Sequence, residues 1–392
     1  MYAITKGSIV GEDEILRDMD VLVEDDSIVD IVPTASVHLP DQDVMDARGA
    51  FVMPGFIDIH ADYIERMAAP RPTSLMDFGL SLREAERELA THGITTMFHS
   101  LSFFDHVVFD TNPIRDPENT KRFIDIIDAS HSSKHLIRHR FHARFEIDTL
   151  RRVEEINGYI RDRKVHLISF MDHTPGQGQY RDLEKFRGTV KGYQNLNDDE
   201  IDRQIVRLQG RDKLGESAIR AMAGLAIANG IAVASHDDDT LEKLAFVLDL
   251  GATISEFPIT LEAAREAKRL GLHTVVGAPN ILLGGSHSGN LSATEAVLDG
   301  CADILCSDYY PAAMLHAVFM LAEAQGLGLP AATRLATLHP ARAVNMGECF
   351  GSIVPGKKAD LILVEKIGND FPVVTTAIVA GRTILTTDYR SA

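Results

Sequence analysis

The sequence has few cysteines, no long apolar run and a deficit of positive charge. Its three cysteines, Cys301, Cys306 and Cys349, are too few for a disulfide framework and favour a reducing compartment such as the cytoplasm. No stretch approaches the roughly 18–20 consecutive apolar residues of a membrane span. The N-terminus has no basic segment followed by an apolar run, so we expect no export signal.

Positive charge is scarce throughout the chain. Lysine and arginine total 39 against 57 aspartates and glutamates, which gives a formal net charge of −18. A chain this acidic repels nucleic acid and anionic membranes at long range, so we expect neither as a partner. An anionic substrate would require local cations or metal ions to overcome the repulsion.

Three motifs of common enzyme classes are absent or incomplete. The chain has no Gly-x-x-x-x-Gly-Lys-Ser/Thr, which argues against a P-loop nucleotidase, and no Gly-x-Ser-x-Gly nucleophile elbow. The Gly-x-Gly at 176–178 lacks the third glycine of a dinucleotide-binding fingerprint. The chemistry must therefore be sought in other residues.

The middle of the chain repeats a helix-like segment, a glycine and a short apolar strand. The glycines are Gly93, Gly230, Gly251 and Gly271, and one helix is predicted to open at the capping-box pattern Ser-Leu-Arg-Glu at 81–84. Eight apolar segments are strand candidates: 52–59, 94–99, 141–147, 165–171, 231–235, 252–257, 272–277 and 303–307. This pattern predicts a TIM-like (β/α)8 barrel, and an open doubly wound sheet is the alternative.

Both ends of the chain are rich in short β-branched segments and turns. We expect them to form a small β-sandwich built from both termini. The predicted division is residues 1–51 and 351–392 for the two halves of the sandwich, with the barrel over 52–350.

Imidazoles and carboxylates occur where five predicted strands end. A barrel carries its chemistry at the C-terminal ends of its strands. The residues at those ends are His60, Asp62, Glu146, His173, His236 and Asp308. Each alone could be a core histidine, a helix cap or an ion-pair partner, but together they suit zinc or a similar divalent metal. His131, His135 and His139 lie in a polar stretch and are predicted to face solvent.

Two further segments could bind an anion. Gly-Gly-Ser-His-Ser-Gly-Asn at 284–290 offers backbone N–H groups and polar side chains, although a flexible loop explains its composition equally well. Arg71 lies in a stiff Pro-Arg-Pro segment and could clamp an anion, although a surface turn is the simpler explanation.

Several motifs resemble a known family. Met-Pro-Gly-Phe-Ile-Asp-Ile-His at 53–60 and Gly-Lys-Lys-Ala-Asp-Leu at 356–361 resemble the amidohydrolase superfamily. Asp-His-Thr-Pro-Gly-Gln at 172–177, Ser-His-Asp-Asp at 235–238 and the loop at 284–290 are similar to a narrower family, the diphosphatases of the carbon–phosphorus lyase pathway. Asp62 replaces the second histidine of most superfamily members, and the narrower family also has aspartate there.

The resemblance implies an activity and a ligand set. The activity is hydrolysis of α-D-ribose 1-methylphosphonate 5-triphosphate to the 5-phosphate and pyrophosphate in phosphonate catabolism. One or two divalent ions, with zinc favoured, would be held by the six strand-end residues, with Glu146 in place of the bridging carboxylated lysine. Asp308 would also accept a proton from water. Substrate contacts would come from Arg71, Gln177, Gly285, Ser286, His287, Asn290 and Tyr310.

Other readings stay open from the sequence alone. The same barrel and metals would serve an amidohydrolase or deaminase acting on a cyclic amide or nucleobase. A metal-free binding protein with a hydrolase fold is a third hypothesis. The resemblance is also compatible with a homo-oligomer.

Overall fold

In the part of the chain that the structure describes, eighteen strands form three sheets. The computed structural model describes residues 1–71, 73–105, 112–194, 196–286, 290–368 and 370–390. The N-terminal strands are β1 (Tyr2–Thr5), β2 (Ser8–Val10), β3 (Ile15–Leu16), β4 (Met19–Glu24), β5 (Ser27–Pro33), β6 (Val44–Asp46) and β7 (Phe51–Pro54). The central strands are β8 (Phe56–Ala61), β9 (Ile94–Phe103), β10 (Arg138–Glu146), β11 (Leu167–Met171), β12 (Ala232–His236), β13 (Ile254–Glu256), β14 (His273–Gly277) and β15 (Ile304–Cys306). The C-terminal strands are β16 (Leu361–Ile367), β17 (Phe371–Val379) and β18 (Arg382–Thr386).

Fourteen α-helices lie between the strands of the described chain. They are α1 (Tyr63–Ala68), α2 (Phe78–Thr91), α3 (Pro117–Ser130), α4 (Val153–Arg161), α5 (Leu183–Tyr193), α6 (Asp198–Gln209), α7 (Glu216–Ala228), α8 (Leu241–Asp249), α9 (Leu261–Arg269), α10 (Ala278–Leu282), α11 (Ala293–Leu298), α12 (Ala313–Phe319), α13 (Leu329–Arg334) and α14 (Leu338–Ala343). None of the helices in the described ranges is both long enough and apolar enough to cross a membrane.

The two ends of the chain form the predicted sandwich. One sheet has the order β5-β4-β1-β6, and the other has the order β18-β17-β16-β7-β2-β3. Ile4 and Val21 from the first sheet pack with Val52 and Leu361 from the second in one buried cluster. Burying the apolar faces of both sheets against each other removes them from water, which stabilises the pair.

The eight central strands form the predicted barrel. They are all parallel and follow chain order from β8 to β15. The first and last strands meet through backbone hydrogen bonds, with Asp308 N donating to His60 O at 3.0 Å and Asp62 N donating to Asp308 O at 2.9 Å. The closure therefore joins three of the predicted site residues.

The predicted first strand, 52–59, is wrong as a single element. Gly55 interrupts the strand and separates β7, which belongs to the sandwich, from β8, which belongs to the barrel. Gly55 N donates to Asp360 O, and a Cβ added at Gly55 would lie 2.3 Å from Thr95 Cγ2. Only glycine allows the backbone this close approach where the two sheets meet.

The glycines after the helices have the expected conformation, but one helix begins earlier than predicted. Gly93, Gly230, Gly251 and Gly271 have φ values of +82°, +75°, +83° and +83°. Helix α2 starts at Phe78 instead of at the Ser81 capping box, because the Asp77 side chain accepts a hydrogen bond from Leu80 N.

Candidate metal centre and active site

Three side chains from distant strands meet at one rim of the barrel. His60 lies next to the last residue of β8, and His236 and Glu256 are the last residues of β12 and β13. All three are buried, and His60 Nδ1 lies 2.9 Å from Glu256 Oε1. The ring centroids of His60 and His236 are 5.4 Å apart. Because parallel strands end at a common edge, the barrel brings these groups together across nearly 200 residues of sequence.

A second group shares His236 with the first. His173, which follows β11, lies 3.4 Å through Nε2 from Asp237 Oδ2, and its Nδ1 contacts Glu146 Oε1. The ring centroids of His173 and His236 are 5.8 Å apart. In each of two sets, His60–His236–Glu256 and His173–His236–Asp237, the candidate ligand atoms lie within 4.8 Å of one another.

The donor atoms of these sets fit a divalent transition metal. Within the described residues, His236 Nε2 and Glu256 Oε2 of these sets are buried without a hydrogen-bonding partner. His236 Nδ1 lies 3.0 Å from Asp237 Oδ2, but outside hydrogen-bond geometry. Buried polar atoms are rarely left unpaired, and a set of imidazoles and carboxylates suits zinc and its neighbours.

His173 and two neighbouring carboxylates, Glu146 and Asp237, shift one another's pKa values. Burial opposes protonation of His173, yet Glu146 and Asp237 outweigh it and raise the pKa of His173 to about 10. Burial alone would raise the pKa of both carboxyls, but the imidazoles lower the pKa of Glu146 and of Asp237. A metal ligand must be a neutral imidazole, so metal binding at His173 would compete with its proton.

The opposite side of the cluster keeps its imidazoles neutral. Burial, together with Arg144 and His236, lowers the pKa of His60 well below its usual value. Burial also lowers the pKa of His142 to about 3. His142 Nε2 lies 3.8 Å from Glu256 Oε1 and 2.9 Å from Ser169 Oγ. His142 therefore contacts the Glu256 side of the cluster.

Asp308 lies at the closure of the barrel beside this cluster. Burial first, and then the Asp62 carboxylate, raise the pKa of Asp308 to about 7. A carboxyl whose pKa is near neutrality suits general acid–base chemistry. Asp308, Asp62 and Glu146 are in neither set of three, so their predicted role as metal ligands stays a prediction.

Three residues that follow barrel strands adopt a left-handed backbone. Asp237 follows β12 with φ +55°, Phe257 follows β13 with φ +53°, and Asp308 follows β15 with φ +57°. Non-glycine residues in this region cost of order 1–3 kcal/mol when the conformation is strained, and such residues gather at functional sites. All three line one cavity of about 240 Å³.

That cavity contains two of the predicted substrate contacts. Ser286 and Asn290 line it together with three predicted metal ligands, His60, His236 and Asp308. Asn290 Oδ1 accepts a hydrogen bond from Lys185 Nζ at 2.9 Å.

The other predicted contacts lie elsewhere. Arg71, Gln177 and Tyr310 are exposed, and Gly285 is half-buried; none of these four lines the cavity. His287 lies outside the described residues. The substrate-binding roles of all five stay predictions.

Several cavity or rim residues were missed from the sequence. Glu256, Asp237, Asp58, Arg144 and Gln179 were not among the predicted site residues. A signal existed for Glu256, since it ends the predicted strand 252–257 as a carboxylate in an apolar segment. His139, predicted to face solvent, is instead buried, and its Nδ1 lies 2.9 Å from His99 Nε2.

Comparison with known proteins agrees with this arrangement. Residues 207–384 match the model of the amidohydrolase family. The chain is also 34% identical over 340 residues to the α-D-ribose 1-methylphosphonate 5-triphosphate diphosphatase of Escherichia coli, covering 85% of this chain and 87% of that protein. The chain belongs to the amidohydrolase superfamily.

Solved structures agree with the fold. N-acetylglucosamine-6-phosphate deacetylase from Pasteurella multocida has a TM-score of 0.63 at 14% identity, covering 97% of this chain and 99% of that chain. The 5-methylcytosine deaminase from Klebsiella pneumoniae has a TM-score of 0.63 at 15% identity, covering 100% of this chain and 98% of that chain. At these identities the likeness shows a shared fold alone.

Members of this superfamily typically bind divalent metals, and the two candidate ligand sets lie where a barrel enzyme has its active site. The chain is therefore a hydrolase by family, with a candidate metal centre at the rim of the barrel. The predicted barrel and sandwich are confirmed.

Proposed function

We propose that this protein hydrolyses α-D-ribose 1-methylphosphonate 5-triphosphate to the 5-phosphate and pyrophosphate. The observation that carries the proposal is the 34% identity to the Escherichia coli diphosphatase, which extends over 85% of this chain and 87% of that protein. The cluster of imidazoles and carboxylates supports it, because hydrolysis of a phosphoric anhydride by this fold needs an electrophilic centre at the strand ends.

His60, His236 and Glu256, together with His173 and Asp237, would hold one or two divalent ions, with zinc our choice. When bound, such an ion lowers the pKa of water and polarises a phosphoryl oxygen. Glu146 orients the His173 imidazole through Nδ1. His142 and Ser169 support the Glu256 side of the cluster.

Asp308 is the proposed general base. It accepts a proton from the attacking water as the water oxygen bonds to the α-phosphorus. The bond from the α-phosphorus to the bridging oxygen breaks, and that oxygen leaves with pyrophosphate. Asp308 is half-buried, and desolvation followed by the Asp62 carboxylate raises the pKa of its carboxyl to about 7, which suits transfer in both directions.

The remaining parts of the proposal concern the setting of the enzyme. The substrate is a small phosphorylated molecule, and the unpaired cysteines are consistent with a cytoplasmic location. Cys301 and Cys306 are buried and Cys349 is exposed. A homo-oligomer stays a prediction.

The test is to incubate the purified protein, supplied with zinc, manganese or nickel in separate samples, with the 5-triphosphate and to follow products by phosphorus NMR. The proposal predicts pyrophosphate and the 5-phosphate in equal amounts. Release of inorganic phosphate alone, or ammonia release from cyclic amides or nucleobases with no reaction of the triphosphate, would overturn it and favour an amidohydrolase or deaminase.

A further inference from the structure

One arginine lines the cavity beside the candidate metal centre, and its Nε has no hydrogen-bonding partner among the described residues. Arg144 lies on β10, two residues after His142 and two before Glu146. Side chains two apart on a strand project to the same face. His142 and Glu146 both contact the cluster, and Arg144 lines the cavity together with His60, His236 and Asp308.

The guanidinium of Arg144 has unused hydrogen-bonding capacity. Its Nε is buried and, within the described residues, has no hydrogen-bonding partner. No carboxylate of the described chain lies within ion-pair distance of it, whereas the partly buried Arg211 pairs with Asp148 at 3.0 Å and Arg115 pairs with Glu65 at 2.7 Å. A buried donor is costly to leave unpaired, so we expect Arg144 Nε to donate a hydrogen bond to a bound ligand.

The chemistry of the cavity favours an anion as that ligand. Among the described residues that line the cavity, Arg144 is the single lysine or arginine. The walls also carry the carboxylates of Asp237 and Asp308, which repel phosphate oxygens. The planar guanidinium fork matches a phosphoryl group through two parallel hydrogen bonds, which a lysine could not reproduce.

We propose that Arg144 binds the phosphate chain of the substrate and neutralises the charge that passes to the leaving pyrophosphate. The inference rests on the proposed function and adds a specificity residue to it. A cation held ready where negative charge develops stabilises the transition state without reorganisation. The net charge of −18 repels a polyanionic substrate, and such a local cation reduces that repulsion.

A purely structural role for Arg144 is the competing explanation. In that case Arg144 would serve as a counterion for nearby carboxylates, since its charge lowers the pKa of Asp308 and of Glu146. Loss of a counterion would change stability or metal content. Loss of a phosphate-binding residue would weaken the affinity for pyrophosphate at unchanged metal content.

The experiment compares wild type with Arg144→Gln, Arg144→Lys and the control Arg161→Gln, which removes an exposed arginine at the end of α4. Binding of inorganic pyrophosphate is measured by calorimetry on samples matched in metal content and thermal midpoint. We expect Arg144→Gln to weaken pyrophosphate binding by about 10- to 100-fold, since a hydrogen bond to a charged group is being removed. Arg144→Lys should lie between Arg144→Gln and wild type, and Arg161→Gln should match wild type.

Turnover of the 5-triphosphate is measured in parallel, so the two claims fail separately. Wild-type protein that releases no pyrophosphate from the triphosphate would refute the proposed function. Wild-type affinity for pyrophosphate in a folded, metal-matched Arg144→Gln or Arg144→Lys, or no pyrophosphate binding by the wild type, would overturn the role of Arg144. If Arg144→Gln fails to fold, the Lys variant decides.

Discussion

At the scale of single residues, the site depends on which atoms are left unpaired. His60 and Glu256 satisfy one another at 2.9 Å, while Glu256 Oε2 and His236 Nε2 stay buried without a hydrogen-bonding partner in the described chain. A fully paired cluster would be a structural network, whereas one that is paired on one side and open on the other can hold an ion.

Asp308→Asn tests the general base. The amide keeps the volume of the carboxyl but cannot accept the water proton, so we expect kcat to fall by about 10²- to 10⁴-fold. Steady-state turnover of the 5-triphosphate measures this, with metal content determined on the same sample.

The matched control is Asp303→Asn, near the opposite end of the same strand. Asp303 pairs with Lys268 at 2.7 Å and accepts a hydrogen bond from Thr274 N, far from the cluster in the strand direction. This variant should lose stability but keep its kcat. Full turnover by Asp308→Asn with its metal in place would show that Asp308 is not the base.

The sequence was informative about residues where strand ends carry unusual chemistry. It predicted His60, His173 and His236, which the barrel brings together. It missed Glu256 and Arg144, because a single carboxylate or arginine beside an apolar strand has many ordinary explanations. Which of them faces the cavity depends on strand register, and a shift of one residue reverses that face.

At the scale of elements, Gly55 separates the sandwich from the barrel. The break lies inside an apolar run that reads as one strand, and no periodicity marks it. What requires the glycine is the approach of Thr95 from the neighbouring strand, a tertiary contact. The strands between 94 and 307, and the glycines that precede four of them, were predictable because apolar runs and glycine caps act locally.

Gly55→Ala should destabilise the protein by about 1–3 kcal/mol, because the new Cβ would lie 2.3 Å from Thr95 Cγ2. Urea unfolding followed by circular dichroism measures the change. The control is Gly158→Ala in α4, where nothing lies within 4 Å of the new Cβ, and it should be neutral or stabilise. Equal stabilities for the two alanine variants would refute the steric explanation.

His166 makes the connection before β11 sensitive to acid. Its Nδ1 accepts a hydrogen bond from Phe141 N at 3.1 Å, and burial, followed by Arg140 and His131, lowers the pKa of His166 to about 3. The unfolded imidazole has an ordinary pKa near 6.5. The group therefore contributes stability that is present above about pH 6.5 and is lost as pH falls towards 3.

His166→Asn should flatten this dependence. Between about pH 6.5 and 4, the unfolding free energy of wild type should fall more steeply than that of the variant, by at most about 1.4 kcal/mol per pH unit. Urea titrations at several pH values measure both slopes. Above pH 7.5 the two curves should be parallel, and equal slopes below pH 6 would contradict the assignment.

At the scale of the whole molecule, the candidate metal centre joins strands from both sides of the barrel closure. Its candidate ligands come from β8, β12 and β13 and from the segment after β11. An ion bound to all of them stabilises only the closed barrel, so its affinity adds to the free energy of unfolding of the molecule.

Removal of metal by a chelator should therefore lower the thermal midpoint and abolish turnover. At a free metal concentration of 100 times Kd, the lost stabilisation is about 2.7 kcal/mol. Differential scanning calorimetry before and after dialysis measures the shift, and adding zinc should reverse it. His236→Ala, which lacks the side chain shared by both ligand sets, should show a much smaller shift. An unchanged wild-type midpoint after proven metal loss would contradict this account.

The whole-molecule architecture was the most predictable level. Eight strand candidates with intervening helices are compatible with few topologies. The β-rich segments at the two ends of the chain then remain to form a separate sandwich. The cavity was the least predictable level, since its walls combine Gln179, Arg144 and Asn290 from separate loops and strands. Their convergence depends on loop conformations that local patterns do not determine.

The most direct test of the central claim is turnover in ¹⁸O-labelled water, with the products separated and weighed by mass spectrometry. If a water activated at the rim of the barrel attacks the α-phosphorus, one ¹⁸O enters the 5-phosphate and none enters pyrophosphate. Label in pyrophosphate, or in inorganic phosphate, would place the attack at another phosphorus and contradict the account.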